Sequence, residues 1–386
     1  MLKAIMARAL YIHWPFCLRK CPYCDFNSHV REEVDTEHWK HTFSRELTFE
    51  QPHGEPLRSI FFGGGTPSLM PPALVGALLE EAERLYGFTS DIEITLEANP
   101  SSVEAGKFAA LAAVGINRVS LGIQALNDVD LRFLGRLHSA KDAQTSLMIA
   151  QTCFDRVSID LIYARPGQAQ ADWERELGRA LQFGTDHLSL YQLTIEPGTR
   201  FATDVRRGAF TPLADDPAAD LFALTRSMTA AAGRPAYEIS NHAAPGQESR
   251  HNLAYWRYED YLGIGPGAHG RRGGVATRRH KKPENWLAAV AEHGHGVAEQ
   301  HVLGPSALAS EALLMGLRLT EGIDLAALAH RFELRTGEMI DQRRLALHQS
   351  LGLVWQEGSR IGITEAGMPL LDALLGELVS DTLVTA

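Results

Sequence analysis

Three of the chain's four cysteines, Cys17, Cys21 and Cys24, lie within eight residues near its start, with the spacing C-x3-C-x2-C. Thiolates grouped in this way on one loop can converge on a metal centre. A structural zinc ion would need a fourth protein ligand, which His13 or His29 could supply. A cuboidal 4Fe-4S cluster would instead leave one iron without a protein ligand, free to be chelated by the amine and carboxylate of a small molecule.

Further groups able to bind a ligand occur where apolar runs end. The run SIFF leads into the glycine-rich segment GGGTPS (residues 63–68), where backbone N–H groups can approach a ligand closely. Glu97, Gln124 and Asp160 stand at or near the ends of three later runs. Barrel enzymes carry their sites at the carboxyl ends of the strands, so these side chains are candidates for one shared site.

The elements that must position these residues are short, β-branched apolar runs. Six of them occur in the first two thirds of the chain: ALYIHW, SIFF, IEITLEA, RVSLGIQ, RVSIDLIY and HLSLYQL. Helical patterns lie between most of them, for example over Pro71–Gly87 and Ser102–Gly115. Six strand–helix units predict an α/β fold with a parallel sheet and are too few for an eight-fold barrel. A partial (β/α)6 barrel or an open doubly wound sheet is therefore expected.

The last third of the chain has a different pattern, which sets the expected domain boundaries. From Gly233 to His295 it is rich in glycine, histidine and aromatic residues, which suggests a functional segment rather than a linker. Beyond Pro305 it becomes helical, with a short strand at RIGIT and a last helix, and predicts a small, mainly helical, winged-helix-like domain. The expected divisions are a barrel over 1–232, a connecting segment over 233–300 and a C-terminal domain over 301–386.

Composition narrows the classes of protein. The 386 residues carry a formal net charge of −10, which gives no general attraction for nucleic acid or anionic membranes, although RRGGVATRRHKK is a local basic patch. No run reaches the roughly 18 apolar residues of a membrane span, and the first residues show no signal-peptide pattern. A cytoplasmic location is expected, where thiols stay reduced. Cys153 stands alone and is expected to be a small buried hydrophobe.

The motifs YIHWPFC, GGGTP, LEANP, SLGIQALN, LGRLHSA, DLIY with PGQ, and LTIEPGT together resemble the oxygen-independent coproporphyrinogen oxidase-like branch of the radical SAM superfamily. The resemblance covers nearly the whole chain. It favours the 4Fe-4S cluster over zinc, and it implies a partial radical SAM barrel with S-adenosylmethionine at the open iron.

The resemblance also implies roles for individual residues. The matching residues are Cys17, Cys21 and Cys24 for the cluster, Tyr11 and Tyr23 for aromatic contacts near cluster and adenine, Gly64, Gly65 and Thr66 for the methionyl group, and Glu97, Gln124, Arg136 and Asp160 for the ribose and carboxylate. A guanidinium such as that of Arg136 can pair bidentately with a carboxylate. The chain departs from the family at Ala164 and Arg165, which place a bulkier, charged side chain on the loop before PGQ.

Two features indicate a subgroup of this branch. Phe26 stands where the oxidase carries a further cysteine, and HNLAYW resembles the haem-binding motif of the HemW group of haem chaperones. This implies that His251, and secondarily His269, binds haem, since imidazole is a common axial ligand. No catalytic base is expected. The alternatives are an oxygen-independent coproporphyrinogen III oxidase, or a methyltransferase or other radical SAM enzyme with an unrelated substrate.

The same resemblance implies the partners. A haem chaperone binds haem and delivers it to an acceptor hemoprotein, such as a subunit of a respiratory enzyme, through which it would contact a membrane only peripherally. The expected assembly is a monomer or a cluster-dependent dimer.

Overall fold

The computed structural model describes residues 8–31, 33–50, 56–380 and 383. Most of the described strands form one eleven-stranded sheet with the order β13-β12-β11-β10-β1-β4-β5-β6-β7-β8-β9. The strands are β1 Ala9–Trp14, β2 Phe16–Cys17, β3 His29–Val30, β4 Leu57–Gly64, β5 Phe88–Ala98, β6 Arg118–Gln124, β7 Arg156–Tyr163, β8 His187–Gln192, β9 Asn241–Ala243, β10 Tyr261–Ile264, β11 His269–Arg272, β12 Val275–Arg279, β13 Val297–Val302, β14 Ile323–Asp324, β15 Val354–Glu357 and β16 Arg360–Ile363.

Helices connect these strands and cover the sheet. Among the described residues none of them is both long and apolar enough to cross a membrane. The helices are α1 Thr36–Phe49, α2 Pro72–Tyr86, α3 Ser102–Ala105, α4 Phe108–Ala113, α5 Asp128–Phe133, α6 Ala140–Cys153, α7 Gln170–Leu181, α8 Arg200–Arg206, α9 Asp215–Ala231, α10 Arg250–Trp256, α11 Pro283–His293, α12 Pro305–Gly316, α13 Leu325–Phe332, α14 Thr336–Met339, α15 Gln342–Ser350 and α16 Leu371–Leu378.

The six strands predicted from the sequence form the parallel centre of the sheet. β1, β4, β5, β6, β7 and β8 pair in that order, each parallel to its neighbour. Their apolar side chains are buried together with the inner faces of the surrounding helices, as the continuous apolar runs predict. The prediction of a partial (β/α)6 barrel is confirmed. All six carboxyl ends therefore meet at the same edge.

One predicted helix is divided in two. The pattern over residues 102–115 predicts a single helix, but α3 ends at Ala105 and α4 begins at Phe108. Gly106 lies at the break and is the C-cap of α3, since glycine is a poor residue for a helix interior.

The segment between the two predicted domains contributes strands to the barrel sheet. β9 pairs antiparallel with β8 at one edge, and β10 pairs parallel with β1 at the other. β11, β12 and β13 extend that second edge as antiparallel hairpins. These strands were not predicted, because they are only three to six residues long and lack the β-branched apolar runs of the barrel strands.

The C-terminal part has a hydrophobic core of its own. Helices α12 to α16 pack around the three-stranded antiparallel sheet β14-β16-β15. This arrangement agrees with the prediction of a small, mainly helical, winged-helix-like domain.

Candidate functional site

The three clustered cysteines lie on a loop at the carboxyl edge of the barrel, called here the cysteine loop (residues 17–28). All three are half-buried. The Cys24 backbone N–H donates to the Cys21 carbonyl over 3.2 Å, and the pairing of β2 with β3 sets Cys17 beside Val30. Burial raises the pKa of the Cys17 thiol, and a hydrogen bond from the Thr66 hydroxyl, 3.4 Å from its sulfur, opposes that rise.

Within the described residues no three His, Cys, Asp or Glu side chains converge on a position for a single metal ion. A cuboidal cluster spreads its ligands over separate irons, so three half-buried thiols on one loop fit it. The first of the two histidines considered as a zinc ligand is already engaged, because His13 Nε2 lies 2.9 Å from the Asn27 carbonyl oxygen.

Arg136 connects the cysteine loop to the ends of β5 and β6. Its guanidinium is buried, with Nη1 3.6 Å from the Cys21 sulfur and 3.5 Å from the Tyr23 hydroxyl oxygen. Nη2 donates to the Gly122 carbonyl over 2.9 Å and also to the side chain of Asn99. A permanent positive charge is thus fixed beside the thiols, which suits thiolate ligands and an anionic group bound next to them.

Sequence reasoning missed Asn99. Its Nδ2 donates to the Thr66 hydroxyl over 3.1 Å, while its Oδ1 accepts from Arg136. It therefore connects the glycine-rich segment to the arginine. The signal was present in the motif LEANP, where this amide follows the end of a strand.

The glycine-rich segment ends β4 directly beside the cysteine loop. Gly64 has φ 112°, and a Cβ at this position would lie only 2.5 Å from the His13 ring. The Gly64 N–H donates to Glu97 Oε2 over 3.2 Å, and the Gly65 N–H donates to the Trp14 carbonyl over 2.7 Å. Only glycine fits this approach at position 64 without strain.

The predicted polar residues of the later strands lie at two depths. Gln124 ends β6 with φ 71°, close to Gly122 and Arg136 at the carboxyl edge. Glu97 and Asp160 lie deeper and line a cavity of about 230 Å³ inside the barrel. The structure thus brings Gln124 close to the Arg136 guanidinium and places the two carboxyl groups in the barrel interior.

Burial controls the protonation of these two carboxyl groups. It raises the pKa of Glu97 to about 8, with a further contribution from the Asp160 charge. Burial also raises the pKa of Asp160, although hydrogen bonds from Ser120 and Ser189 oppose the rise. The pair therefore resists full ionisation near neutral pH.

His251, on α10, lines this cavity next to Ser59, near the amino end of β4, whereas the cysteine loop lies by the carboxyl end of that strand. Its ring is 1% exposed and stacks on Phe61, with the centroids 5.1 Å apart. Nδ1 lies 3.1 Å from the Ser59 hydroxyl, and Nε2 lies 3.3 Å from the Tyr255 hydroxyl. Burial lowers the pKa of His251 to about 3, so the ring is neutral. Both ring nitrogens are occupied, which sequence reasoning could not foresee.

His269, the second predicted haem residue, is exposed on β11. The departure at Arg165 is directed away from the site, since the side chain is buried against Glu176 and lies 2.9 Å from Asp130 Oδ2. Cys153 is half-buried and packs against the barrel core, in broad agreement with its expected role.

Comparison with known proteins agrees with this architecture. A model of the radical SAM superfamily matches residues 11–179, and a model of the HemN C-terminal domain matches residues 303–370. The solved structure of the Escherichia coli coproporphyrinogen III oxidase HemN superposes with a TM-score of 0.82 at 22% identity, over 96% of this chain and 89% of that one. The fold and the domain order are thus those of a radical SAM protein with a HemN-type C-terminal domain.

Similarity in sequence shows to which family of radical SAM proteins the chain is related. The protein named heme chaperone HemW from Bacillus subtilis (strain 168) is 32% identical over 96% of this chain and 100% of that protein. The HemW of Escherichia coli (strain K12) is 39% identical over 68% of this chain and 70% of that protein. The radical S-adenosyl methionine domain-containing protein 1, mitochondrial, from Bos taurus is 41% identical over 82% and 74%.

The chain belongs to the HemW family of the radical SAM superfamily. Membership of the superfamily implies a 4Fe-4S cluster and S-adenosylmethionine. The half-buried thiols, the Arg136 guanidinium and the close backbone approach at Gly64 suit both groups.

Proposed function

We propose that this chain is a haem chaperone, which binds haem and passes it to an acceptor hemoprotein. The observation that carries the proposal is its similarity over 96% of its length to proteins named heme chaperone HemW. Phe26, which is 61% exposed on the cysteine loop, supports it, because the related oxidase has a further cysteine at that position. The acceptor is a hemoprotein such as a respiratory enzyme subunit, and the chain meets it in the cytoplasm as a monomer or a cluster-dependent dimer.

In this proposal Cys17, Cys21 and Cys24 bind the 4Fe-4S cluster, and S-adenosylmethionine occupies the open iron. When bound, these groups supply one-electron chemistry. The chain's own residues hold the cluster: Arg136 keeps a positive charge beside Cys21, and the Thr66 hydroxyl donates to Cys17.

The binding site for S-adenosylmethionine in this proposal extends from the carboxyl edge into the barrel. Its residues are Tyr11, Tyr23, Gly64, Gly65, Thr66, Glu97, Gln124, Arg136 and Asp160. Tyr11 and Asp160 reach it from the barrel cavity, while Gly64 and Arg136 lie beside the cysteine loop. Asn99 supports both ends of the site through its bonds to Thr66 and Arg136.

The test is a pair of assays on one anaerobically reconstituted sample. Haem titration followed by absorption should show binding of about one haem per chain. Incubation of the reduced sample with coproporphyrinogen III, S-adenosylmethionine and an electron acceptor should give no protoporphyrinogen IX. Rapid conversion of coproporphyrinogen III would overturn the proposal in favour of the oxidase. Absence of haem binding would also overturn it and would favour a radical SAM enzyme with an unrelated substrate.

A further inference from the structure

The position of haem on this chain depends on which imidazole can reach iron. An axial ligand needs a neutral imidazole with a free nitrogen lone pair and an approach wide enough for the macrocycle. His251 has both ring nitrogens engaged and is 1% exposed. The cavity beside it measures about 230 Å³, below the roughly 300–1,000 Å³ of ordinary small-molecule pockets. As folded, this histidine is not available to haem.

His269 offers what His251 does not. It is exposed at the start of β11, and its imidazole has no hydrogen-bond partner in the part of the chain that the structure describes. Burial of part of the ring and the neighbouring charges of Arg278 and Lys281 lower its pKa, which favours the neutral imidazole. It is therefore free to coordinate iron without breaking any bond of the fold.

The charges that act on this ring are mostly positive: Arg278, Lys281 and Arg279 lower its pKa, and Glu299 opposes them. His269 is directly opposite Arg278 in the β11–β12 pair, so the two side chains share a face of the sheet. Arg278 is already paired with Glu299. Lys281 is exposed, makes no ion pair with any described residue, and is close enough for its charge to act on His269. A propionate carboxylate is a suitable partner for this ammonium group.

The same face adjoins the cysteine loop through a rigid connection. Asn27 Nδ2 donates to the Pro266 carbonyl over 2.9 Å and to the Lys281 carbonyl over 2.8 Å. Gly267 has φ 80°, and a Cβ there would lie 2.6 Å from the Asn27 amide nitrogen, so this approach requires glycine. The preceding residue of the cysteine loop, Phe26, is 61% exposed and offers an apolar side chain next to this connection.

We propose that haem binds on this face, called here the β11 face (Phe26, His269, Arg278 and Lys281), with His269 as axial ligand and Lys281 pairing with a propionate. The inference rests on the proposed function, since it names the site of the haem that a chaperone must carry. This site places the haem next to the cysteine loop rather than next to His251 on α10. Haem in this position is open to an acceptor on its outer side.

Haem titration of the cluster-loaded chain and its variants tests the proposal. His269→Ala should weaken haem binding by roughly tenfold or more and shift the Soret band, because an axial ligand is lost. Lys281→Gln should weaken binding by a smaller factor, and haem dimethyl ester, which has no propionate charge, should show no difference between Lys281→Gln and the unaltered chain. The matched controls are His301→Ala, an exposed histidine on β13, and Lys282→Gln, the adjacent lysine.

The outcomes separate this inference from the proposed function. Unchanged affinity and Soret band in His269→Ala, with haem still bound by the unaltered chain, would overturn the β11 face and leave the chaperone proposal standing. Loss of haem in a folded His251→Ala variant alone would also overturn it and would make the α10 histidine the ligand. If the unaltered chain binds no haem, both proposals fail.

Discussion

The carboxyl edge of the barrel and the end covered by α10 differ in whether their polar side chains are still free to bind a ligand. At the carboxyl edge the three thiols are half-buried, with Thr66 and Arg136 directed at two of them. At the α10 end His251 is buried, stacked and bonded at both nitrogens. The first arrangement leaves groups available for ligands, whereas the second stabilises the fold. A motif that resembles a binding signature can therefore act in packing, and the contacts of its side chains decide between the two roles.

The sharpest test of the carboxyl edge is removal of one thiol. Cys21→Ser should abolish stable cluster loading, because Cys21 is one of three ligands and lies beside the Arg136 guanidinium. The measurement is iron and sulfide content after anaerobic reconstitution. Cys153→Ser is the matched control, since this cysteine lies outside the loop and should leave the content unchanged. Iron content equal to that of the unaltered chain in Cys21→Ser would contradict the ligand assignment.

At the α10 end, by contrast, a substitution should lower the stability of the fold. His251→Ala removes a buried ring and leaves the Ser59 and Tyr255 hydroxyls without their partner, so the free energy of unfolding should fall by about 2–4 kcal/mol. His269→Ala, at an exposed position, should change it by less than about 0.5 kcal/mol. Urea unfolding of the chain without cofactors measures both values. Equal losses in the two variants would remove the contrast between the regions.

The barrel cavity between the two ends should show its own pH dependence. Because the pKa of Glu97 in the folded chain is raised from 4.5 to about 8, the folded state keeps a proton that the unfolded state releases across this range. The contribution of Glu97 to the free energy of unfolding therefore becomes less favourable as pH rises from about 4.5 to about 8. Glu97→Gln should remove this loss.

Urea unfolding of the cofactor-free chain at about pH 5.5 and about pH 8 measures the effect. At each pH the unfolding free energy of the unaltered chain is subtracted from that of Glu97→Gln. This difference should be more positive at about pH 8 than at about pH 5.5, by more than about 1 kcal/mol. Glu80→Gln, at an exposed position of α2, is the control and should show no such gain. A constant difference between Glu97→Gln and the unaltered chain at both pH values would indicate that Glu97 is ionised in the fold.

The sequence predicted the parts of the molecule that depend on local pattern. β6 and β7 begin and end at the residues of the predicted runs, because continuous apolar, β-branched sequence is typical of a parallel strand buried on both faces. The positions of Gly64 and Arg136 beside the cysteine loop followed from motifs of the family. The residue assignments for the cluster, S-adenosylmethionine and haem stay predictions.

Other features depend on contacts between segments that are far apart in the chain. Local sequence pattern does not predict such contacts. The inward direction of His251 is set by Ser59 and Phe61 on β4, far away in the chain. Asn27 gained its role only when the fold brought the carbonyls of Pro266 and Lys281 to its amide. Neither residue type nor spacing could reveal these pairings.

The most direct test of the contrast between the two ends is hydrogen exchange, followed by mass spectrometry, on the cluster-loaded chain with and without haem. Haem bound on the β11 face should slow exchange in peptides that cover residues 17–31 and 261–282 and leave the peptide over residues 250–256 unchanged. Protection confined to residues 250–256 would contradict the account, because haem would then lie at the α10 end, where His251 is buried and bonded at both ring nitrogens.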